Sequence, residues 1–240
     1  CDWSSDVCSS DLLPEMRPPA VWMPYNKMGR SGTDLATCDA GGKFGPFDGQ
    51  MFVAEFTDAK ISRVFMEKVD GEYQGACFPF VGGFASGIVR LSFAPDGSLM
   101  VGMTSRGWSS LGTKAYGLQR LRYNGVAPFA IKEMKARSDG FELVFTKPVD
   151  VARAGDVASY RMTNYTLFYS GAYGSDEIQA APNAILSAQV ASDRMSVRLK
   201  VDGLRELYIH ELHADGVRSA GGEALDHADA YYTLNRLPKN

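Results

Sequence analysis

Two short stretches of the chain, Asp48–Ala54 (DGQMFVA) and Asp96–Gly102 (DGSLMVG), repeat one pattern 48 residues apart. Each begins with Asp-Gly and continues with one polar residue, three large apolar residues and one small residue. Asp-Gly is typical of a tight turn because glycine tolerates positive φ, and the apolar run is typical of a buried strand. The spacing is close to one blade of a β-propeller, so the pair predicts two repeated β units.

A second echo follows each copy, at 61–64 (ISRV) and 118–121 (LQRL). These segments lie 57 residues apart, so the second unit contains nine additional residues between its two strands. Arg63 and Arg120 occupy equivalent positions, which favours a structural role, such as an ion pair at a strand edge, over catalysis. Asp48 and Asp96 belong to turns and are expected to accept hydrogen bonds from backbone amides.

Turn residues separate short strand-like segments along the whole chain. Up to residue 125 we expect strands at 50–56, 60–68, 72–78, 87–94, 98–103 and 117–123, with a weaker one within 33–39. After Pro128 we expect strands at 129–136, 140–146, 161–169, 185–191, 194–200, 206–213 and 230–235, and one helical turn at 156–160. Several later segments alternate apolar and polar residues, which is typical of strands with one wet face, and short strands at this density are typical of a β-sandwich.

The predicted fold is therefore all-β, with a partial β-propeller of about two terminal blades followed by an Ig-like β-sandwich. We expect the propeller blades over residues 13–125 and the sandwich over 126–240.

Composition narrows the classes of function. The 240 residues are 45% hydrophobic and 22% charged with a net charge of −3, which allows a sizeable core. The sequence has no basic stripe of the kind that binds nucleic acid. It also has no apolar run of about 18 residues, the length that would predict a membrane span. Cys38 and Cys77 lie in isolated, mostly apolar contexts and are expected to be buried free thiols.

Residues 1–12 stand apart from the rest. Over 2–12 (DWSSDVCSSDL) eleven consecutive residues match the translation of a common sequencing adapter. The segment has neither the charged start nor the apolar stretch of a signal peptide. We interpret residues 1–12 as a sequencing artefact, exclude them from the fold prediction, and expect the natural protein to begin upstream.

Several segments together carry a family resemblance. The segments 22–31 (WMPYNKMGRS), 42–50 (GKFGPFDGQ), 93–99 (FAPDGSL) and 104–108 (TSRGW) resemble the last blades of glucose/sorbosone dehydrogenase-like propellers. The match is best to large secreted proteins of planctomycete-type bacteria, which are often fused to cytochrome c modules. The stretch 141–150 (FELVFTKPVD), with Tyr160 after it, is similar to bacterial Ig-like domains.

This resemblance implies a periplasmic or secreted parent protein. The sugar dehydrogenases of the family oxidise a sugar with pyrroloquinoline quinone (PQQ) and pass electrons to a quinone or cytochrome. Implied partners are the missing N-terminal blades, a cytochrome c module with haem c, and a sugar-type substrate. The fragment has no Cys-x-x-Cys-His motif and most blades are missing, so it would hold no cofactor or complete active site itself and would be inactive alone.

Two other functions stay open at this point. The chain can be a non-catalytic carbohydrate- or protein-binding scaffold in which the propeller serves as a platform for attached modules. The sandwich can equally be a spacer between the propeller and a cytochrome. Fold alone does not decide among these functions.

The loop at 104–114 (TSRGWSSLGTK) is the most site-like stretch of the sequence. Arg106 and Lys114 can hold an anionic cofactor or substrate, and Trp108 can stack on a planar ring or a sugar. Arg30 lies in the segment 22–31, which either lines the same face or forms a plug between the blades or onto the sandwich. The alternative is that Trp108 packs against the neighbouring blade and Arg106 caps strand carbonyls.

The histidines do not predict a metal site. His210 and His213 would point to opposite faces of a strand, and His227 stands apart from both. They fall in the predicted sandwich, where we expect histidines of a strand edge or a loop. A zinc site would need further ligands that the sequence does not supply nearby. No catalytic residue and no metal ligand is assigned.

Overall fold

The computed structural model describes residues 17–168 and 173–239, which form antiparallel β-sheets. The all-β prediction is confirmed. The interpretation of residues 1–12 as an artefact, and residue 169 of one predicted strand, lie outside the described residues. None of the helical turns in those ranges has the length and hydropathy of a membrane span.

The regular elements of the described residues are short, and most predicted strands are found within a few residues of their expected ends. The strands are β1 (Gly32–Thr37), β2 (Met51–Glu55), β3 (Lys60–Val69), β4 (Glu72–Val81), β5 (Ile88–Phe93), β6 (Leu99–Thr104), β7 (Tyr116–Leu121), β8 (Ile131–Arg137), β9 (Gly140–Phe145), β10 (Arg161–Leu167), β11 (Glu177–Asn183), β12 (Ile185–Val190), β13 (Ser196–Val201), β14 (Tyr208–His213) and β15 (Asp229–Leu234). One helical turn, α1 (Val151–Ala154), and two 3-10 turns, Gly45–Phe47 and Val157–Ser159, connect them.

Two of the helical turns begin at an aspartate whose side chain caps their first backbone amides. Asp150 accepts a hydrogen bond from the Arg153 amide at 2.8 Å and starts α1. Asp156 accepts one from the Ala158 amide at 3.0 Å and starts the 3-10 turn that the sequence predicted at 156–160. The helix α1 was not predicted.

The strands form three open sheets. The largest has the order β1-β2-β3-β4-β15-β14-β10-β11, a second has the order β12-β13-β9-β8, and a third has the order β5-β6-β7. None of them closes on itself in the described residues. The division into propeller blades and an Ig-like sandwich stays a prediction.

The largest sheet contains strands from both sides of the boundary expected at residue 125. Strand β4 pairs with β15 through Cys77 opposite Tyr231 and Ala76 opposite Tyr232. The core of the four-stranded sheet accordingly includes Phe78 of β4. Hydrogen bonds and apolar packing therefore join the two predicted regions directly.

Both small sheets pack on the same face of the large sheet. Phe52 and Phe78 share that face because each lies opposite Arg63 in an adjacent strand. Phe52 belongs to the core under the three-stranded sheet, whereas Phe78 belongs to the core under the four-stranded sheet. On the opposite face, Val53 packs against Met28 of the N-terminal segment. The isolated thiols Cys38 and Cys77 are free and buried, as expected.

The sequence repeat corresponds to two structural units with the same register. Met51 lies opposite Val64 in the first unit, and Leu99 lies opposite Leu121 in the second. The preceding strands match as well, because β1 pairs with β2 as β5 pairs with β6. Each carries a β-bulge at the corresponding place, at residue 33 in β1 and residue 89 in β5.

The turn aspartates have the predicted role. Asp48 accepts a hydrogen bond from the Gly42 amide, and Asp96 accepts one from the Ser98 amide at 3.0 Å. The glycines that follow them, Gly49 and Gly97, have φ values of 79° and 82°, in the left-handed region.

Candidate functional site

A cleft of about 940 Å³ lies where the two repeat units meet, and we call it the inter-repeat cleft. Equivalent positions of the two units face it: the bulge residues Thr33 and Val89, and the residues Phe56 and Thr104 near the ends of β2 and β6. The backbone there is also equivalent, since the Phe56 amide donates to Ser31 O and the Thr104 amide donates to Gly87 O. The remaining lining residues are Tyr25, Arg30, Ser31, Thr57, Arg106, Trp108, Ser109 and Tyr173.

Three of the four residues predicted as a site line this cleft. Arg30, Arg106 and Trp108 come from segments that are distant in sequence and meet at the same surface. The fourth, Lys114, is not part of the lining. It is exposed, and its backbone amide donates to Ala85 O at 2.8 Å.

Trp108 is not packed into a neighbouring unit. The residue is 79% exposed, so one face of a large apolar ring is available to a ligand. The Arg106 side chain is exposed as well, and the hydrogen bond found at this residue is donated by its backbone amide to Thr104 Oγ1 at 3.1 Å. The structure therefore differs from the alternative in which these two side chains pack and cap strands.

Arg30 is positioned by a buried carboxylate. Glu55 is 2% exposed, and its Oε1 accepts hydrogen bonds from the amides of Arg30 at 2.9 Å and Ser31 at 2.7 Å. Its Oε2 accepts from the Asp58 amide. Gly29 must be glycine for this approach, because a Cβ there would lie 2.5 Å from Glu55 Cγ. The Arg30 Nε lies 3.6 Å from Asp58 Oδ1, and the Arg30 side chain is 44% exposed.

Two tyrosines form one side of the cleft. Tyr25 and Tyr173 pack edge to face with their ring centroids 5.9 Å apart, and the Tyr173 hydroxyl donates to Arg30 O at 2.5 Å. Sequence reasoning placed the segment of Tyr25 near this face but missed Tyr173. No motif marks that residue, since it follows β10 and is brought to Arg30 only by the folded chain.

A charged cluster anchors the turn that carries Tyr25. Lys27 Nζ lies 2.7 Å from Glu177 Oε1 and 2.6 Å from Glu211 Oε2. Burial alone lowers the pKa of Lys27, but the hydrogen bonds to the two glutamates outweigh this and raise it above its usual value. The cluster continues through His213, whose ring nitrogens lie 3.0 Å from Glu211 Oε1 and 2.6 Å from Asp229 Oδ1.

The histidines are placed as the strand alternation predicts. His210 is fully buried and packs against the ring of Phe141 at 5.4 Å, whereas His213 lies on the other face of β14. Burial lowers the pKa of His210 to about 3, so its ring is neutral at neutral pH. Strand β14 is an interior strand of its sheet, not the edge or loop expected for these residues. No group of metal-binding side chains is found in residues 17–168 and 173–239.

Comparison with known proteins gives little further information. No protein-family model and no curated protein matches the chain. Two solved structures of a bacterial surface-layer protein are similar over part of the chain. The N-terminal part of the S-layer protein SbsC is 14% identical over 48% of this chain and 25% of that one, with a TM-score of 0.35. Domains 1–6 of SbsC are 16% identical over 49% and 15%, with a TM-score of 0.36. Similarity at this level supports no conclusion about fold or function.

Proposed function

We propose that this chain is a non-catalytic carbohydrate-binding module whose inter-repeat cleft holds a sugar with an acidic group. The observation that carries the proposal is the lining of one cleft by Trp108, Arg30 and Arg106. An indole ring offers an apolar face to the C–H groups of a sugar, and a guanidinium can form paired hydrogen bonds with a carboxylate or sulfate.

The rest of the lining supports the same chemistry. Hydroxyl groups of Ser31, Thr57 and Thr104 can exchange hydrogen bonds with sugar hydroxyls. The volume of about 940 Å³ fits the upper end of small-ligand sites, which typically measure about 300–1,000 Å³. A ligand that covers the exposed indole gains the free energy of removing its apolar face from water.

A second candidate function follows from the same cationic lining. The fragment would then form one wall of a cofactor site in a larger quinoprotein sugar dehydrogenase-like protein, in the periplasm or secreted. Guanidinium groups beside an aromatic ring suit PQQ, which is a planar quinone with several carboxylates. The missing N-terminal blades would supply the catalytic groups, a cytochrome c module with haem c would accept the electrons, and the fragment alone would be inactive.

Calorimetric titration of the chain with glucuronic acid, glucose and PQQ separates these functions. We expect glucuronic acid to bind more tightly than glucose, and Trp108→Ala and Arg106→Ala each to weaken its binding about tenfold. Tyr116→Ala is the matched control, because Tyr116 is also 79% exposed but does not line the cleft. Binding of PQQ without binding of sugar would favour the second candidate, and binding of neither would contradict both.

A further inference from the structure

The two repeat units differ at one edge. In the first unit β3 pairs with β2 on one side and with β4 on the other. In the second unit β7 occupies the position of β3, in the same register, and pairs with β6 on one side. On the other side of β7 the described residues provide no strand. The internal repeat thus shows which kind of element fits there, namely an antiparallel strand.

The backbone of β7 presents free groups along that edge. The Ser105 amide donates to Ala115 O at 2.8 Å, so the backbone N–H and C=O groups of residue 115 point towards β6. Because alternate residues of an antiparallel strand direct their N–H and C=O groups to opposite sides, those of Tyr116, Leu118 and Arg120 point away from β6. The residue before this edge, Lys114, already uses its outward amide to bond Ala85 O.

The side chains of β7 are unusually exposed for large residues. Tyr116 is 79% exposed and Leu118 is 70% exposed, and they share one face of the strand. Strand edges with unpaired backbone groups and exposed apolar side chains are sites where another polypeptide can add a strand.

The charge around β7 indicates which partner fits. Residues 97–132 contain no aspartate or glutamate, although the whole chain has a net charge of −3. Lys114 and Arg122 flank the strand at its two ends, and both are exposed. Arg120 is already paired with Asp96, whereas no ion pair is found for Lys114 or Arg122 within residues 17–168 and 173–239.

We propose that β7 binds an extended, apolar segment of a partner protein that has acidic residues at its ends, in the way β4 covers β3. The partner strand would run antiparallel to β7 and bond the outward backbone groups of Tyr116, Leu118 and Arg120. Its alternate apolar side chains would cover Tyr116 and Leu118, and its acidic ends would meet Lys114 and Arg122.

A second copy of this chain fits the edge less well. A two-fold antiparallel pair centred on Leu118 places Lys114 of each copy opposite Arg122 of the other, and like charges directly opposite each other destabilise a sheet. An acidic partner strand has the opposite sign at both of these positions.

Fluorescence anisotropy with a labelled synthetic peptide tests the proposal on the full chain. The peptide alternates threonine and valine and carries glutamates at both ends; the comparison peptide carries lysines there instead. We expect the acidic peptide to bind about tenfold more tightly than the basic one at low salt, and the difference to shrink as salt is added. Equal binding of both peptides, or none of the acidic one, would overturn the proposal.

Variants of β7 distinguish strand addition from non-specific adhesion. Leu118→Pro removes an outward N–H group and leaves the hydrogen bonds to β6 in place, so it should abolish peptide binding. Leu118→Ala keeps that N–H group and should retain most of the peptide binding. The double change Lys114→Glu and Arg122→Glu should reverse the preference in favour of the basic peptide. Loss of fold in a variant cannot produce such a reversal.

Sedimentation of the unliganded chain tests whether a second copy of the chain occupies the edge of β7. A monomer is expected over the concentrations of the binding assay. If the chain forms a dimer and Leu118→Pro makes it dissociate, a second copy fills the edge and the acidic-partner proposal is wrong. Trp108→Ala should leave peptide binding unchanged, which separates this surface from the inter-repeat cleft.

Discussion

Arg63 and Arg120 occupy the same position of the two repeat units, yet the first residue is buried and the second side chain is nearly half exposed. Arg63 lies opposite Phe52 and Arg120 lies opposite Met100, and each donates to the residue two positions before that partner. Arg63 Nη1 lies 2.5 Å from Gln50 Oε1, and Arg120 Nε lies 2.8 Å from Ser98 Oγ. The repeat has therefore preserved a hydrogen bond while the surroundings of the two guanidiniums have diverged.

The difference arises from what covers each unit. The four-stranded sheet approaches Arg63, whose guanidinium donates to Ile131 O at 2.6 Å and Lys132 O at 3.0 Å. The rings of Phe47 and Phe78 lie 4.2 and 4.5 Å from it. This burial lowers the pKa of Arg63 to about 9, although the charge of Glu133 acts in the opposite direction. Arg120 has no such cover and pairs with Asp96.

Alanine at these two positions should have very different effects on stability. Arg63→Ala removes the donor to Gln50 Oε1 and to the buried Ile131 carbonyl, whereas Lys132 O keeps the hydrogen bond from Gln50 Nε2. It also opens a gap between the phenylalanines, so we expect the free energy of unfolding to fall by about 3 kcal/mol. Arg120→Ala removes a surface pair and should cost less than about 1 kcal/mol. Urea denaturation measures both values. Similar costs for the two variants would contradict the role of Arg63 as the connection between the layers.

The turn glycines of the two units form a second matched pair. Gly49→Ala adds a Cβ that meets nothing within 4 Å, so its cost is the strain of positive φ, about 1–2 kcal/mol. Gly97→Ala has the same strain and also places its Cβ 2.3 Å from Lys43 Cβ. We therefore expect Gly97→Ala to lower the melting temperature further than Gly49→Ala. Asparagine at either position should lower the melting temperature less than alanine does. A larger effect of asparagine than of alanine would argue against a left-handed turn.

Local patterns predicted the parts of this structure that depend on nearby residues. Asp-Gly turns and apolar runs located both hairpins, and the echo around Arg63 and Arg120 gave the correct equivalence of their strands. Strand β11 was missed because it contains Pro182 and few β-branched residues. It lies at the edge of its sheet, where proline is tolerated since no further strand of the described chain needs its amide.

Long-range pairing was beyond the reach of sequence patterns. The contact of β4 with β15 joins Cys77 to Tyr231, residues whose local sequence carries no sign of one another. Long-range folding also limited the prediction of the cleft, because its lining comes from segments that are distant in sequence. The loop chemistry predicted a site at Arg106, Trp108 and Lys114 together. The first two line the cleft, and the sequence could not separate them from Lys114, whose backbone amide bonds Ala85 O.

Glu55 should prove essential for the geometry of the cleft. Its two oxygens accept three backbone amides, and Glu55→Gln replaces one acceptor oxygen with a donor that faces an N–H group. We expect the free energy of unfolding to fall by about 2 kcal/mol and any ligand of the cleft to bind more weakly. Glu72→Gln, at an exposed position of β4, is the matched control.

Hydrogen exchange gives a direct measurement for the same variant. The amides of Arg30 and Ser31 are protected by Glu55 Oε1 in the wild type and should exchange faster in Glu55→Gln. Unchanged exchange at these two amides, together with unchanged stability, would rule out this function for the carboxylate.

His210 should make the stability of the protein depend on pH on the acidic side. Its folded-state pKa of about 3 lies below the unfolded value of about 6.5 because burial disfavours the charged ring. Between these values the unfolded chain binds a proton that the folded chain does not. The neutral ring's contribution is therefore complete above about pH 6.5 and is lost as the pH falls towards 3.

Comparison of the wild type with His210→Phe isolates this contribution, since all other titrating groups are common to both. Between pH 6 and pH 4 the free energy of unfolding of the wild type should fall more steeply, by up to about 1.4 kcal/mol per pH unit, than that of the variant. The absolute stabilities will differ because the Arg205 amide, which donates to His210 Nε2 at 3.4 Å, loses its acceptor. The difference in slope is the decisive quantity, and parallel curves would mean that folding does not lower the pKa of His210.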